Sequence, residues 1–438
     1  MLLVGGLSCP SWGQEVKNAE IIGTPRVDKD RGRVTLRVKV KDANNRPVVG
    51  LQKQDFTLKI CQPQGESNNN ACQTLDRAEI LDWKNPKEAE PPPAWIIVLL
   101  DFSGSMKRSD SSGTTKISGA LQALEEFNQD LARRAGETKI AIVPFSKGGK
   151  RCTGNRVTDS ELNNFEDASK IGLEKYLQDL ESQSDSLCGA TDIYRPVRKA
   201  VRFLGNRTDT RFNPPEDSNE PEPRLSIVLL SDGYHSIYHG EANEAELEQK
   251  DFDDLLNLLN KYPQITIHTL GYGLTPQQLQ AKYNLSRYPT IADVGKVEAE
   301  DFTNPNRLAQ MAVPAEEFVD QKRLQQIARA TGAIAEFAGN AEDIAENLTE
   351  FLEALLGEYE ISYIQPRNNA DRGSEHNVTV AVKTAGNAVA SDAKTYVFPW
   401  VGPALPASRR KQIILSVLGL LAMFGVVPFV IWAKSIKG

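Results

Sequence analysis

Six consecutive residues, Trp95-Ile96-Ile97-Val98-Leu99-Leu100, carry no polar side chain and run straight into Asp101-Phe102-Ser103-Gly104-Ser105. An uninterrupted apolar run of that length reads as a parallel strand buried on both faces, and ligands collect where such a strand leaves its sheet. The turn after it offers one carboxylate and two hydroxyls at alternate positions, and Gly104 lets the backbone bend tightly. Oxygen-only donors of this kind suit a hard cation such as Mg²⁺.

Strand and helix patterns alternate beyond a stiff joint at Glu90-Pro91-Pro92-Pro93. Ile117, Leu121, Leu124, Phe127 and Leu131 share one helical face, Lys139 to Phe145 is a strand, and helices cover about 168–183 and 192–204. Leu225 to Leu230 and Ile265 to Leu270 are further buried strands, with helices following at about 320–331 and 342–356. The fold class expected is α/β, a doubly wound and mostly parallel sheet flanked by small antiparallel β segments, plus one C-terminal transmembrane helix. The N-terminal flank shows strict alternation, Val34, Leu36, Val38 and Val40 against Thr35, Arg37, Lys39 and Lys41, a half-solvated strand. Similar alternation returns at Tyr359, Ile361, Tyr363 and at Val378, Val380, Val382, so the two flanks are candidates to pair with the α/β domain inserted between them.

Two further segments reach the edge where the opening motif lies. Gly189-Ala190-Thr191-Asp192 brings a hydroxyl ahead of a helix, and Ser231-Asp232-Gly233 follows a buried strand with a second carboxylate. The Asp-x-Ser-x-Ser turn, the loop threonine and the later strand-end aspartate together resemble the metal-ion-dependent adhesion site of von Willebrand factor A (VWA) domains. The resemblance covers roughly residues 94–358 and matches at all five positions. It implies a Rossmann-like fold in which Ser103, Ser105 and Thr191 ligate Mg²⁺, with Asp101 and Asp232 acting directly or through water; Mn²⁺ and Ca²⁺ suit the same donors. The flanks, Val48-Val49-Gly50-Leu51 with Asp55-Phe56 and Glu360 to Pro366, look like those of bacterial membrane-anchored VWA-related envelope proteins.

Composition narrows the partners. The chain of 438 residues carries a formal charge of −7 and no basic block beyond Arg409-Arg410-Lys411, so nucleic acid is not an expected partner. Residues 1–13 read as a short signal peptide, 14–90 as an N-terminal β domain, 91–358 as the VWA domain with a polar insertion at 274–316, and 359–398 as a C-terminal β segment. A linker at 399–411, a transmembrane helix at 412–433 and a short tail at 434–438 complete the expected organisation, with the bulk of the chain extracytoplasmic and one membrane span. Cys61, Cys72, Cys152 and Cys188 form no CxxC pair; two local disulfides fit an oxidising compartment, with free buried thiols as the alternative.

Two carboxylates neutralise a divalent ion while hydroxyls add no charge, leaving the ion electrophilic toward an acidic group from a partner. The expected function is Mg²⁺-dependent protein binding or adhesion through a ligand carboxylate, the alternative being an envelope assembly scaffold in which the domain joins subunits. An enzyme is not expected. There is no phosphate loop or nucleophile elbow, and His235 and His239 lack metalloprotease order and read as exposed loop residues.

Overall fold

The computed structural model describes residues 15–421, apart from 29–31, 63–70, 77–78, 90, 135–136, 149–151, 168–170, 216–221, 239–240, 291–292, 296–312, 315–316, 366–374, 385–387 and 398–406, together with isolated positions beyond 421. The N-terminal part forms β1 (Asn18–Asp28), β2 (Arg33–Lys41), β3 (Phe56–Gln62), β4 (Ala71–Leu75) and β5 (Ile80–Lys84). The middle contains β6 (Ala94–Asp101), α1 (Lys116–Arg134), β7 (Thr138–Phe145), α2 (Asp159–Leu162), β8 (Glu166–Asp167), α3 (Ile171–Ser182), α4 (Tyr194–Leu204), β9 (Arg224–Ser231), α5 (Glu244–Leu259) and β10 (Ile265–Tyr272). Then come α6 (Pro276–Tyr283), β11 (Val294–Gly295), β12 (Val313–Pro314), α7 (Gln321–Ala330), β13 (Ala335–Ala338) and α8 (Ala341–Leu356). The chain returns to strands in β14 (Glu358–Ile364), β15 (Glu375–Lys383), β16 (Ala388–Ala390) and β17 (Lys394–Val397), and α9 (Ala407–Leu421) follows.

The two flanks are halves of one sandwich. β14 lies between β2 and β5, antiparallel to both, in a sheet ordered β1-β2-β14-β5. β15 pairs with β3 in the second sheet, ordered β16-β15-β3-β4 with β17 also on β15. The alternating residues Val34, Leu36, Val38 and Val40 meet Phe56, Leu58, Val378 and Val380 in one buried core. Within it the Tyr359 hydroxyl donates to Val48 O at 2.8 Å and accepts from Leu51 N at 3.0 Å. Cys61 and Cys72 face each other across β3 and β4 and form a disulfide.

Between the halves sits a six-stranded sheet ordered β13-β10-β9-β6-β7-β8, parallel except at the β7–β8 edge. β6 and β9 are its centre, and their Ile, Val and Leu side chains are buried on both faces as the apolar runs require. α1, α3 and α8 cover one face, and α2, α4, α5 and α7 the other.

The expected fold class is thereby corrected. Only one sheet is mostly parallel; a four-stranded and a five-stranded antiparallel sheet stand beside it, so the chain is a mixed helix and strand architecture and not a doubly wound domain with minor flanks. The flanking strands amount to so much because each half supplies what the other lacks. The transmembrane helix expected at 412–433 is corrected too. Among the described residues no helix is long and apolar enough to cross a membrane. α9 is described from Ala407 to Leu421, and most of the remainder of the expected span lies outside the described residues. The expected signal peptide lies outside the described residues.

The polar face of β2 is not solvated. Lys39 is buried and its Nζ reaches Leu355 O at 3.3 Å, Lys41 Nζ donates to Gly332 O at 2.8 Å, and Arg37 pairs with Glu358. This face docks the sandwich onto the parallel sheet. Glu358, at the start of β14, is 1 % exposed and takes both Arg224 Nε and, at 2.8 Å, Arg224 Nη2 from the first residue of β9. Burial raises the Glu358 pKa, but Arg224, Lys39 and Arg37 outweigh it and hold the carboxyl below its ordinary value.

Removing one partner from a buried ion cluster is costly because the rest keep their desolvation penalty. Glu358→Gln should lower stability by about 3 kcal/mol at neutral pH in urea unfolding. A carboxyl with a depressed folded pKa stabilises only where it is ionised, so this difference should shrink as pH falls through the ordinary carboxylate range. A fragment of residues 14–90 should be unfolded by circular dichroism, since β14 and β15 are missing from its two sheets; a cooperatively folded fragment would contradict the sandwich.

Candidate metal centre

β6 and β9 are adjacent and parallel, in register from Ala94 with Arg224 to Leu100 with Leu230. Their carboxyl ends are therefore level, which sets Asp101 beside Ser231 with Asp232 one residue further on. The chain leaves β6 toward α1 on one face and leaves β9 toward α5 on the other. Loops that part in this way open a crevice at the sheet edge.

The five residues singled out from the sequence meet in that crevice. Asp101 and Asp232 are fully buried, and Ser103 and Thr191 nearly so. The Thr191 hydroxyl donates to Ser103 Oγ at 3.1 Å, Ser103 Oγ lies 3.0 Å from Ser105 Oγ, and Ser105 Oγ donates to Asp232 Oδ1 at 2.8 Å. A hydroxyl chain thus runs into a carboxylate. Asp101 Oδ1 accepts from Ser103 N at 2.9 Å, which closes the turn, and its Oδ2 accepts from Ser231 Oγ at 2.6 Å.

Two contributors escaped the sequence reading. Ser231 was in view beside Asp232, but only register shows that it reaches Asp101. Lys116, the first residue of α1, carries its Nζ to Asp232 Oδ2 at 2.9 Å in a pair 6 % and 0 % exposed. Nothing in the spacing of a helix-terminal lysine announces this. Burial first, and the neighbouring Asp232 charge second, push the Asp101 pKa up to about 7, against the hydrogen bonds from Ser231 and Ser103. Lys116 alone thus leaves the pocket short of positive charge.

The donor set fits a small hard cation. Octahedral oxygen ligands at about 2.1 Å place neighbouring oxygens about 3.0 Å apart, and the three oxygen spacings along the chain are 3.1, 3.0 and 2.8 Å. Among the described residues no group of three or more His, Cys, Asp or Glu is arranged to hold a metal ion. The set here is hydroxyl-rich, two carboxylates with three hydroxyls, unlike a cage built to hold its ion by charge.

The threonine loop is held from two sides. Ser236 Oγ accepts from Thr191 N at 3.0 Å, and Ser236 N donates to Thr191 O at 3.0 Å. His235, expected to be exposed, is buried: its ring stacks on Tyr194 at 4.0 Å, Nδ1 accepts from Ile193 N at 3.2 Å, and Nε2 lies 3.4 Å from Asp251 Oδ2. It clamps the loop after β9 onto the start of α4. His239 lies outside the described residues. On the other side Lys147 and Ala190 exchange backbone hydrogen bonds at 2.8 and 3.1 Å, and Cys152–Cys188 is a disulfide. Gly189 has φ +87°, and a Cβ there would come within 1.9 Å of Lys147 O, so glycine is required. The insertion at 274–316 also reaches the site's edge, where Tyr234 packs with Leu279, Leu285, Val313 and Phe318 in a small core of its own.

No family model matches the chain, and no curated protein matches it. Among solved structures it is similar to proximal thread matrix protein 1 from the mussel byssus, at 15 % identity and TM-score 0.29 over 60 % of this chain and 48 % of that one. It is also similar to the pilus adhesin SpaC from Lactobacillus rhamnosus GG, at 11 % identity and TM-score 0.34 over 87 % of this chain and 48 % of that one. The chain spans about half the length of each, and likenesses of this degree carry no weight for function.

A carboxyl whose folded pKa is raised binds its proton more tightly in the folded state, so stability falls as pH rises through the interval. In chelator, thermal unfolding should show this loss between the ordinary carboxylate range and about pH 7, set by Asp101. Asp101→Asn should flatten that slope. Lys116→Met, which strips Asp232 of its buried partner, should cost about 3 kcal/mol at neutral pH, measured by urea unfolding in chelator.

Proposed function

We propose that this chain is a VWA-type binding protein that holds a divalent cation, Mg²⁺ by preference, on Ser103, Ser105, Thr191, Asp101 and Asp232, and through it captures a protein partner's carboxylate. The observation that carries this reading is the convergence of three hydroxyls and two buried carboxylates, from three separate loops, at hydrogen-bonding distance. A bound divalent ion would supply a coordination position open to an acidic ligand.

The residues of the chain set the charge that such a ligand meets. With both carboxylates ionised, Asp101, Asp232 and Lys116 together carry one negative charge, which a divalent ion converts to one positive charge. Lys116 therefore makes the loaded site attractive to an anion, where two carboxylates alone would make it neutral. It also occupies one oxygen of Asp232, leaving Oδ1, on which Ser105 already converges, as the oxygen turned toward the hydroxyls. Asp101, held by Ser103 N and Ser231 Oγ, orients the turn. The two disulfides support placement in an oxidising compartment.

Titration of the intact chain with Mg²⁺ or Mn²⁺ by calorimetry should show one saturable site, lost in Asp232→Ala and in Ser103→Ala with Ser105→Ala. Capture of a partner should then need the divalent ion and be abolished by chelator. Absence of any saturable Mg²⁺ or Mn²⁺ site in the intact chain would overturn the reading.

A further inference from the structure

The opposite edge of the parallel sheet carries a cavity that the metal centre does not use. α4 begins two residues after Asp192, beside the candidate centre, and runs to Leu204, so its far end lies at the amino-terminal edge of the strands. α5 likewise starts after the Asp232 loop and ends at Leu259. Between these two helix ends and the start of α2 is a cavity of about 780 Å³, within the range of small-ligand sites.

Its lining is cationic in a chain of net charge −7. Lys199, Arg202, Arg207 and Lys261 line it, against the carboxylates of Asp159 and Asp209. Both carboxylates are already neutralised. Asp159 pairs with Lys199 at 2.7 Å, and Asp209 accepts from Arg211 Nε at 3.0 Å and Nη2 at 2.7 Å. Arg202, Arg207 and Lys261 are exposed, and among the described residues none of the three has a side-chain hydrogen bond or ion pair. The carboxyl-terminal ends of α4 and α5 both come to this edge, and each contributes roughly half a negative charge. Three unpaired cations outweigh them by about two charges. The half-buried rings of Phe203 and Tyr262 add apolar wall, and Tyr262 packs against Gly205 so closely that a Cβ there would meet the ring at 2.3 Å.

We propose that this cavity binds a ligand carrying two or more phosphate or sulfate groups. Two guanidinium forks suit tetrahedral oxyanions, whose oxygens accept paired hydrogen bonds, and a lysine adds a point charge. Several cations spread around one cavity favour a multiply charged ligand over a single anion. The site is separate from the metal centre and does not rest on it.

The test uses the intact chain in chelator with two probes, inorganic tripolyphosphate and a sulfated heparin-derived tetrasaccharide, followed by calorimetry. Saturable one-to-one binding of either probe supports the proposal, and which probe binds distinguishes a free phosphate chain from a sulfated sugar. Arg202→Glu, Arg207→Glu and Lys261→Glu combined should weaken binding roughly tenfold or more, with the thermal midpoint unchanged because all three side chains are exposed. Asp232→Ala should bind the probes like the parent chain. Failure of both probes to bind, or binding that survives the triple charge reversal, would overturn the proposal.

Discussion

Two carboxylates buried side by side at the centre of a sheet are the constraint on which the candidate centre depends. Asp101 and Asp232 sit where β6 and β9 end, without solvent to disperse their charge. Every neighbour answers that cost. Lys116 brings a cation from the first turn of α1, Ser231 and Ser103 supply hydrogen bonds to Asp101, and Ser105 supplies one to Asp232. In the proposed reading, the remaining deficit of positive charge is what a bound cation would answer. A hydroxyl-rich donor set would then leave such a cation available to a further ligand.

A second buried charge cluster organises the molecule as a whole. Glu358 stands where the chain passes from α8 back into the sandwich, and it pairs with Arg224 at the start of β9 and with Arg37 of β2. It thereby joins the parallel sheet, the first sandwich half and the second at one point. Lys39 and Lys41, reaching a carbonyl in the last turn of α8 and one just after α7, extend the same contact. Because β14 runs between β2 and β5, neither flank can complete its sheet alone. The inserted domain is consequently tied at both ends to a single body.

Much of this was legible from local pattern. A continuous apolar run marked β6, and runs rich in Ile, Val and Leu marked β9 and β10, because a strand buried on both faces is mostly apolar. Helical periodicity placed α1, α4, α7 and α8 to within a few residues, and four of the five candidate site residues stood out by their position at or just after the ends of β6 and β9, with Thr191 in the loop before α4. Other features had no local signal. The polar face of β2 reads as solvated because lysine and arginine are normally exposed; only the packing of α8 and Glu358 shows it to be a docking face. His235 reads as a loop residue for the same reason, though Tyr194 covers it. The apolar stretch after residue 411 was read as a membrane span from composition, while among the described residues no helix is long and apolar enough to cross a membrane.

By itself, the sequence determined the buried strands, the helices between them, and which oxygen-bearing side chains follow the strand ends, since hydrophobic periodicity and turn chemistry act over a few residues. Tertiary structure alone decided that the two flanks form one sandwich and that Lys116 neutralises Asp232. It also decided that His235 clamps the loops and that three cations without an ion-pair partner among the described residues gather at the far edge. These depend on strand register and helix placement, which bring together residues tens to hundreds of positions apart. Electrostatic and hydrogen-bond energies depend on distance in space, and no local pattern encodes it.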